Sequence, residues 1–194
     1  RPAGRAGPGT AARHQPGTGE PGRDVRRQPA GRDERVPAGA GDPRGPGYWL
    51  LWNTCAPENQ AEIARANGGR SAGWILLDDL LADPGIQLGG FPIETCPQAL
   101  AVLQARNLSG ADRADAPDFL LARQLLAAYL NLEAGAESCL GVVDAILGAH
   151  ELLQELGYDG ETPILDAASS TEQLSRTELF QLALEQYNRG ELCR

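Results

Sequence analysis

The strongest periodic signal in the chain lies at 117–133, PDFLLARQLLAAYLNLE, where Phe119, Leu121, Leu125, Leu126, Tyr129 and Leu132 fall on one side of a 3.6-residue repeat. Such spacing stacks side chains along one face of an α-helix. The broad apolar stripe predicts a helix at the centre of the core, ended by Gly135. Two more long helices are predicted. One spans 138–156, with Ser138 as N-cap, Gly157 as its stop, and Val142, Val143, Ile146, Leu147, Leu152 and Leu153 as apolar positions. The other spans 170–189, carries Leu174, Leu179, Phe180, Leu182 and Leu184, and ends at Gly190.

Shorter elements precede these three. Residues 58–67, ENQAEIARAN, have helical composition and run into Gly68-Gly69, a pair suited to a helix C-cap and a chain reversal. In 73–83, GWILLDDLLAD, Trp74, Leu77 and Leu81 share a face with Ile75, Leu76 and Leu80 beside it, which predicts a helix buried on most sides and stopped by Pro84-Gly85. Residues 86–94, IQLGGFPIE, read as two extended pieces around Gly89-Gly90, a β-hairpin in which Pro92 permits only an edge strand. A helix over 95–106 follows, with Thr95 as N-cap, Pro97 in the first turn, and Leu100 and Leu103 pointing inward. Residues 107–115 form a polar connection. The pattern therefore predicts a mainly α fold: an irregular bundle of about six helices with one minor β-hairpin and no internal repeat.

Composition divides the chain into a leader, 1–46, and a module, 47–194. The leader holds nine arginines against five acids, with ten glycines and eight prolines. It has almost nothing large and apolar to offset the entropy of ordering, so it is expected to be disordered. Its arginines suit a phosphate backbone, but acids dilute them and no aromatic residue is present to stack on a base. A linker, or translated sequence upstream of the module, is the favoured reading, with no nucleic-acid partner. The module carries eight arginines against twenty-one acids, an asymmetry hidden by the whole-chain charge of −9. No run approaches the eighteen apolar residues of a membrane helix, and no secretory signal is recognisable. The chain contains no lysine; it also contains no methionine, and for that reason a fragment or processed product is expected.

Candidate chemistry is sparse. His150-Glu151, with Asp144 earlier on the same predicted helix, is the only histidine and carboxylate grouping of the module. One histidine with one neighbour supplies neither a catalytic triad nor three metal ligands, and a surface histidine is the favoured reading; His14 belongs to the leader. Asp78-Asp79 offers paired carboxylates, yet mid-helix placement does not match the alternating loop oxygens of a calcium site, and Asp159-Gly160-Glu161 is too short a match. No metal, cofactor or catalytic residue is therefore expected. Gly68-Gly69 and Gly89-Gly90 lack the lysine and the context of a phosphate loop. Asn107-Leu108-Ser109 fits a glycosylation acceptor and fits a simple turn equally well. Tyr48, Trp49, Trp52 and Trp74 concentrate aromatic mass early in the module. Exposed, they would form a platform for a glycan or a partner protein; buried, they would close the entry segment over the central helix, the favoured reading for Trp49 and Trp74.

Three separated motifs, Gly47-Tyr48-Trp49, 121–131 (LARQLLAAYLN) and 187–193 (YNRGELC), resemble an uncharacterised GYWKN-type helical module of secreted, multidomain bacterial surface proteins. Leu50, Tyr129 and Arg189 stand where that pattern has lysine, lysine and asparagine. The resemblance spans 47–193 and implies a secreted or cell-surface setting without any particular activity.

Cys55, Cys96, Cys139 and Cys193 are too far apart in sequence for a C-x-x-C site. Buried free thiols are one reading. An even count at the margins of elements, together with the secreted-module resemblance, points to two disulfides. Of the three pairings, Cys139–Cys193 is expected if the last two helices pack antiparallel, and Cys55–Cys96 then follows by elimination. The expected function is a non-enzymatic extracellular structural or protein-interaction module, acidic and of the adhesion type, whose partner is an unknown protein or glycan; the alternative is a carbohydrate- or cell-wall-binding module using exposed tryptophans.

Overall fold

The computed structural model describes residues 42–81, 85–166 and 169–193. It is mainly helical, with seven helices among the described residues: α1 (Pro46–Leu51), α2 (Ala61–Ala66), α3 (Leu77–Leu80), α4 (Cys96–Leu103), α5 (Pro117–Glu133), α6 (Leu140–Leu156) and α7 (Thr171–Asn188). Between α3 and α4 a single antiparallel hairpin joins β1 (Ile86–Leu88) to β2 (Phe91–Ile93). The expected leader falls almost wholly outside the described residues. Its last few positions do not: Arg44 is hydrogen-bonded to Asn131, and Pro46 opens α1.

The centre of the core is α5, as its apolar stripe predicts. It lies against α1, α3, α4, α6, α7 and β1. Phe119, Leu121, Leu125, Leu126 and Leu130 are fully buried, and Ala122, Ala127 and Ala128 let neighbouring helices approach closely. Tyr129 and Leu132, expected inside, are half-buried at the edge of the core.

Local sequence sets the ends of the helices. Thr95 caps α4 by accepting the Gln98 N–H at 3.4 Å, while Gln98 Oε1 takes the Thr95 N–H at 3.0 Å. Ser170 and Gln173 repeat this reciprocal cap on α7. The expected cap at Ser138 is displaced by one residue. Cys139 is the extended N-cap residue of α6, and its carbonyl accepts the N–H groups of Val142 and Val143, both at 3.1 Å.

The early helices are shorter than the pattern predicts. Asn59 accepts the Ala61 N–H at 3.0 Å and donates to the Ala56 carbonyl, so a side-chain turn replaces the first turn expected for α2. Gly73 takes a left-handed conformation after a 3-10 turn at Gly69–Ala72, which ends the chain reversal signalled by Gly68-Gly69. The chain then runs extended at Leu76, and the N–H of Leu77, the first residue of α3, bonds the Trp52 carbonyl at 2.8 Å. Of the stop signal Pro84-Gly85, Pro84 lies outside the described residues.

In the hairpin, Ile86 opposes Ile93 and Leu88 opposes Phe91, so Ile86, Leu88 and Ile93 turn inward while Gln87 and Pro92 face solvent. Its turn is pressed onto the end of α6. Gly89 has φ +64°, and a Cβ there would sit 2.6 Å from the Gln154 backbone nitrogen.

Both disulfides are present, with the expected pairing. Cys55–Cys96 ties the loop after α1 to the first residue of α4, with Cα atoms 6.1 Å apart. Cys139–Cys193 joins the start of α6 to the segment after α7 across 5.6 Å. The second pairing requires α6 and α7 to run antiparallel, and the Glu155–Arg176 ion pair at the opposite end of the two helices agrees.

Gly89→Ala is expected to lower the unfolding free energy by about 2–4 kcal/mol, combining left-handed strain with overpacking. Gly90→Ala, with open space around it, should change it by less than about 0.5 kcal/mol. Urea unfolding of the two variants checks the difference.

Candidate functional site

The aromatic cluster is an interior structure. Pro46 begins α1 with a ring that needs no N–H, and the helix then directs Trp49 into the main core, where it is 0 % exposed. Tyr48 and Trp52, four residues apart, stack at 5.7 Å between ring centroids. Trp74 continues the row at 5.3 Å from Trp52, and the Arg44 guanidinium lies 5.4 Å above the Tyr48 ring. Trp52 and Trp74 are only 8 % exposed, because Ala61 and Ala64 of α2 and Leu76 pack with them in a second small core. The alternative expectation of exposed tryptophans is therefore corrected: Trp49, Trp52 and Trp74 present no open stacking face. Tyr48 alone is half-buried, and burial raises its phenol pKa against the lowering effect of Arg44.

Two of the three motifs behind the sequence resemblance, 121–131 and 187–193, meet at one place, where Arg44, just before the first motif, joins them. Asn131, near the end of α5, is 1 % exposed. Its Oδ1 accepts the Arg44 N–H at 2.9 Å, and its Nδ2 donates to the Arg44 carbonyl at 2.8 Å and to Asn188 Oδ1 at 2.9 Å. Asn188, at the end of α7, in turn donates to the Gln124 carbonyl and to Gln124 Oε1, both at 3.0 Å. The Tyr187 hydroxyl donates to the Glu137 carbonyl at 3.1 Å. These groups fasten the entering chain, α5 and α7 together. Beside them lies a polar cavity of about 350 Å³ lined by Asp42, Arg44, Glu137, Tyr187, Arg189 and Cys193 among others. Arg189 is engaged with Glu185, and burial raises the Tyr187 phenol pKa. At the other two departures from the motif pattern, Leu50 packs against the main core and the Tyr129 hydroxyl meets His150 Nδ1 at 3.3 Å.

The remaining candidates are drawn into local structure. Glu151 follows His150 on α6, whose partner is Tyr129 of α5 rather than a carboxylate, while Asp144 and Glu151 face solvent. Asp78 accepts the Thr54 N–H and hydroxyl, each at 2.7 Å, in the first turn of α3 rather than in the middle of a helix. Asp79 accepts the Leu76 N–H. The Asp78 carboxylate and the sulfurs of Cys55 and Cys96 lie within 4.8 Å of one another, but the sulfurs are bonded to each other and offer no thiolate. Asp159 accepts the N–H groups of Glu161 and Thr162, which lowers its carboxyl pKa. Asn107 is 5 % exposed, accepts the Ala111 N–H at 2.7 Å and donates to the Glu161 carbonyl, so it holds a turn.

The pattern reading missed Asp118. Following Pro117, it reads as an ordinary acid in a helix first turn, and only its fully buried position sets it apart. Its Oδ2 accepts the Ile164 N–H at 3.1 Å, tethering the segment between α6 and α7 to the start of α5. Its Oδ1 and the Tyr158 hydroxyl are buried without a hydrogen bond among the described residues. Burial raises the Asp118 carboxyl pKa against the opposing backbone N–H groups, and burial together with the charges of Asp118 and Asp159 raises the Tyr158 phenol.

These opposite shifts predict opposite pH dependences. A carboxyl whose pKa is raised by folding stabilises the fold most below its unfolded pKa, and that contribution is lost as pH rises through the folded value. Relative to Asp118→Asn, the parent chain should therefore lose stability as pH rises above about 4. Relative to Asp159→Asn, it should gain stability as pH rises toward the same value. Urea unfolding between about pH 2.5 and 7 measures both, alongside a carboxyl NMR titration in which Asp118 has its midpoint above 3.8 and Asp159 below it.

Comparison with known proteins returns no matching family model, no matching curated protein and no matching solved structure.

Proposed function

We propose that this chain is a non-enzymatic structural or protein-interaction module of a secreted or cell-surface bacterial protein. The observation that carries the reading is the pair of disulfides, Cys55–Cys96 and Cys139–Cys193, each joining segments more than forty residues apart at the ends of packed helices. Disulfides persist in oxidising compartments and are rare where cellular thiols keep cysteines reduced. No helix among the described residues is long and apolar enough to cross a membrane, which fits a module held outside the cell by other means.

The resemblance of 47–193 to the GYWKN-type module supports the same setting. The polar groups support a structural role. His150 is committed to Tyr129, Asp78 to Thr54, and Asn131 and Asn188 to each other and to backbone. Catalysis needs a base oriented toward a nucleophile or a metal, and these side chains are oriented toward the fold. The buried tryptophans favour a protein partner over a glycan, because sugar recognition by stacking needs an open aromatic face.

Producing the chain in a bacterial host with and without an export signal tests the reading. The exported chain should carry both bridges and resist protease, while the cytoplasmic chain should be reduced and degraded at least several-fold faster. A cytoplasmic pool that is fully reduced, folded and equally resistant would overturn it.

A further inference from the structure

Cys55, Asp78 and Cys96 bring three potential metal ligands together: the two sulfurs and a carboxylate oxygen lie within 4.8 Å of one another, with Cys55 exposed and the other two residues half-buried. While the bridge is closed the sulfurs have no negative charge to offer a cation. Opened, the group supplies two soft thiolates and one carboxylate from three separate segments: the loop after α1, the first turn of α3 and the first residue of α4. A cavity of about 230 Å³ lined by Asp78, Leu81, Glu94 and Cys96 adjoins them. It leaves room for a fourth ligand, the Glu94 carboxylate or a water.

The three positions are held by contacts other than the sulfur bond. Asn53 is fully buried; its Oδ1 accepts the N–H groups of Cys55 at 3.0 Å and Ala56 at 2.7 Å, and its Nδ2 donates to the carbonyls of Trp49 and Leu50. Thr54 fixes both oxygens of Asp78, donating its N–H to Oδ2 and its hydroxyl to Oδ1. Hydrogen bonds of this kind orient a ligating carboxylate. Cys96 opens α4 behind the Thr95–Gln98 cap, and the fully buried Ala99 and Leu103 anchor that helix in the core. The Cα atoms of the two cysteines, 6.1 Å apart, are therefore kept near one another when the bridge opens. Thiolates on a tetrahedral zinc ion lie about 3.8 Å apart, a separation that side-chain rotation supplies.

Access decides which bridge opens. Cys55 is exposed, whereas Cys139 and Cys193 are both half-buried. A thiolate of a dithiol donor attacks Cys55 Sγ, breaks the sulfur–sulfur bond and expels Cys96 as a thiolate at the N-terminus of α4, where the helix amides favour negative charge. The donor's second sulfur then displaces Cys55, also as a thiolate. The donor leaves as its own disulfide, having given up two electrons, and its two protons pass to solvent. Two thiolates with a carboxylate suit four-coordinate Zn²⁺, whereas Ca²⁺ and Mg²⁺ prefer larger shells of oxygen alone. We propose that Cys55, Asp78 and Cys96 form a zinc site when a dithiol opens their bridge. The metal then fastens the loop after α1 to α4 in place of the sulfur bond. This goes beyond the module reading, whose oxidised form is the closed state of the site.

The test starts from the oxidised full chain. A limited amount of a dithiol, then removed by gel filtration without oxygen, should free Cys55 and Cys96 to alkylation while peptide mapping finds Cys139–Cys193 intact. Co²⁺ added to the opened chain should bind once per chain with thiolate charge-transfer and tetrahedral ligand-field absorption, and Zn²⁺ should displace it. The oxidised chain should show neither band, and Zn²⁺ should raise the thermal midpoint of the opened chain alone. Asp78→Asn should weaken Zn²⁺ binding about tenfold or more. Cys55→Ser/Cys96→Ser should lose the charge-transfer band, and Cys139→Ser/Cys193→Ser, opened in the same way, should keep it; these two variants and the parent spectrum decide the matter even if Asp78→Asn fails to fold. Earlier opening of Cys139–Cys193, Co²⁺ bound without the sulfur band, or equal affinity of the oxidised and opened chains would overturn the proposal. Any of these leaves the module reading standing, because that reading concerns the closed bridges.

Discussion

The bond between Cys139 and Cys193 closes a loop of 54 residues that contains both α6 and α7. Closing such a loop removes conformations from the unfolded chain, in proportion to the logarithm of loop length on the chain-entropy account. It also fixes the direction of the two helices. With their ends tied, α6 and α7 run antiparallel beside α5, which places Leu184 and Tyr187 in the same core as Leu126 and Leu130. The bond does work that the sequence of α7 does not do alone, since its apolar residues lie on several sides of the helix and specify no single buried face. Cys55–Cys96 has the matching role at the other end, holding the loop after α1 to α4.

Buried polar groups then select one arrangement from those the bridges allow. Asn131 and Asn188 are nearly inaccessible, and each would cost about 1–3 kcal/mol if left unpaired. They pair instead with Arg44, Gln124 and each other, contacts that exist only when the entering chain, α5 and α7 are in register. Asp118 acts similarly where the segment before α7 returns to α5, though at the cost of burying a carboxylate whose second oxygen finds no partner among the described residues. The aromatic row from Tyr48 through Trp52 to Trp74 seals the remaining side with apolar area.

Elements governed by local rules were legible in the sequence. The stripe of α5, the cap at Thr95, and the hairpin around Gly89-Gly90 each follow from spacing or side-chain chemistry within a few residues. The sulfur pairing was legible once the antiparallel packing of the last two helices was assumed. Helix α1 was not, because six residues opening with Pro-Gly contain less than two full turns of pattern. The helix expected over 73–83 shrank to α3 because the left-handed Gly73 and the bond from Leu77 to Trp52 are tertiary facts. At the site level, composition located the aromatic residues, but only packing by α2 showed that Trp52 is covered. Nothing within a few residues of Leu179 and Leu182 distinguishes them from Leu184; their exposure depends on where α5 and α6 lie.

The account rests most directly on the contribution of the bridges to the stability of the helix packing. Unfolding free energies of the oxidised chain and of Cys139→Ser/Cys193→Ser, measured in urea with the remaining linkage verified by non-reducing peptide mapping, provide the test. A loss of about 2–4 kcal/mol in the variant, with Cys55 still linked to Cys96, is the predicted result. Equal stability of the two proteins, or four free thiols in the folded parent chain, would contradict it.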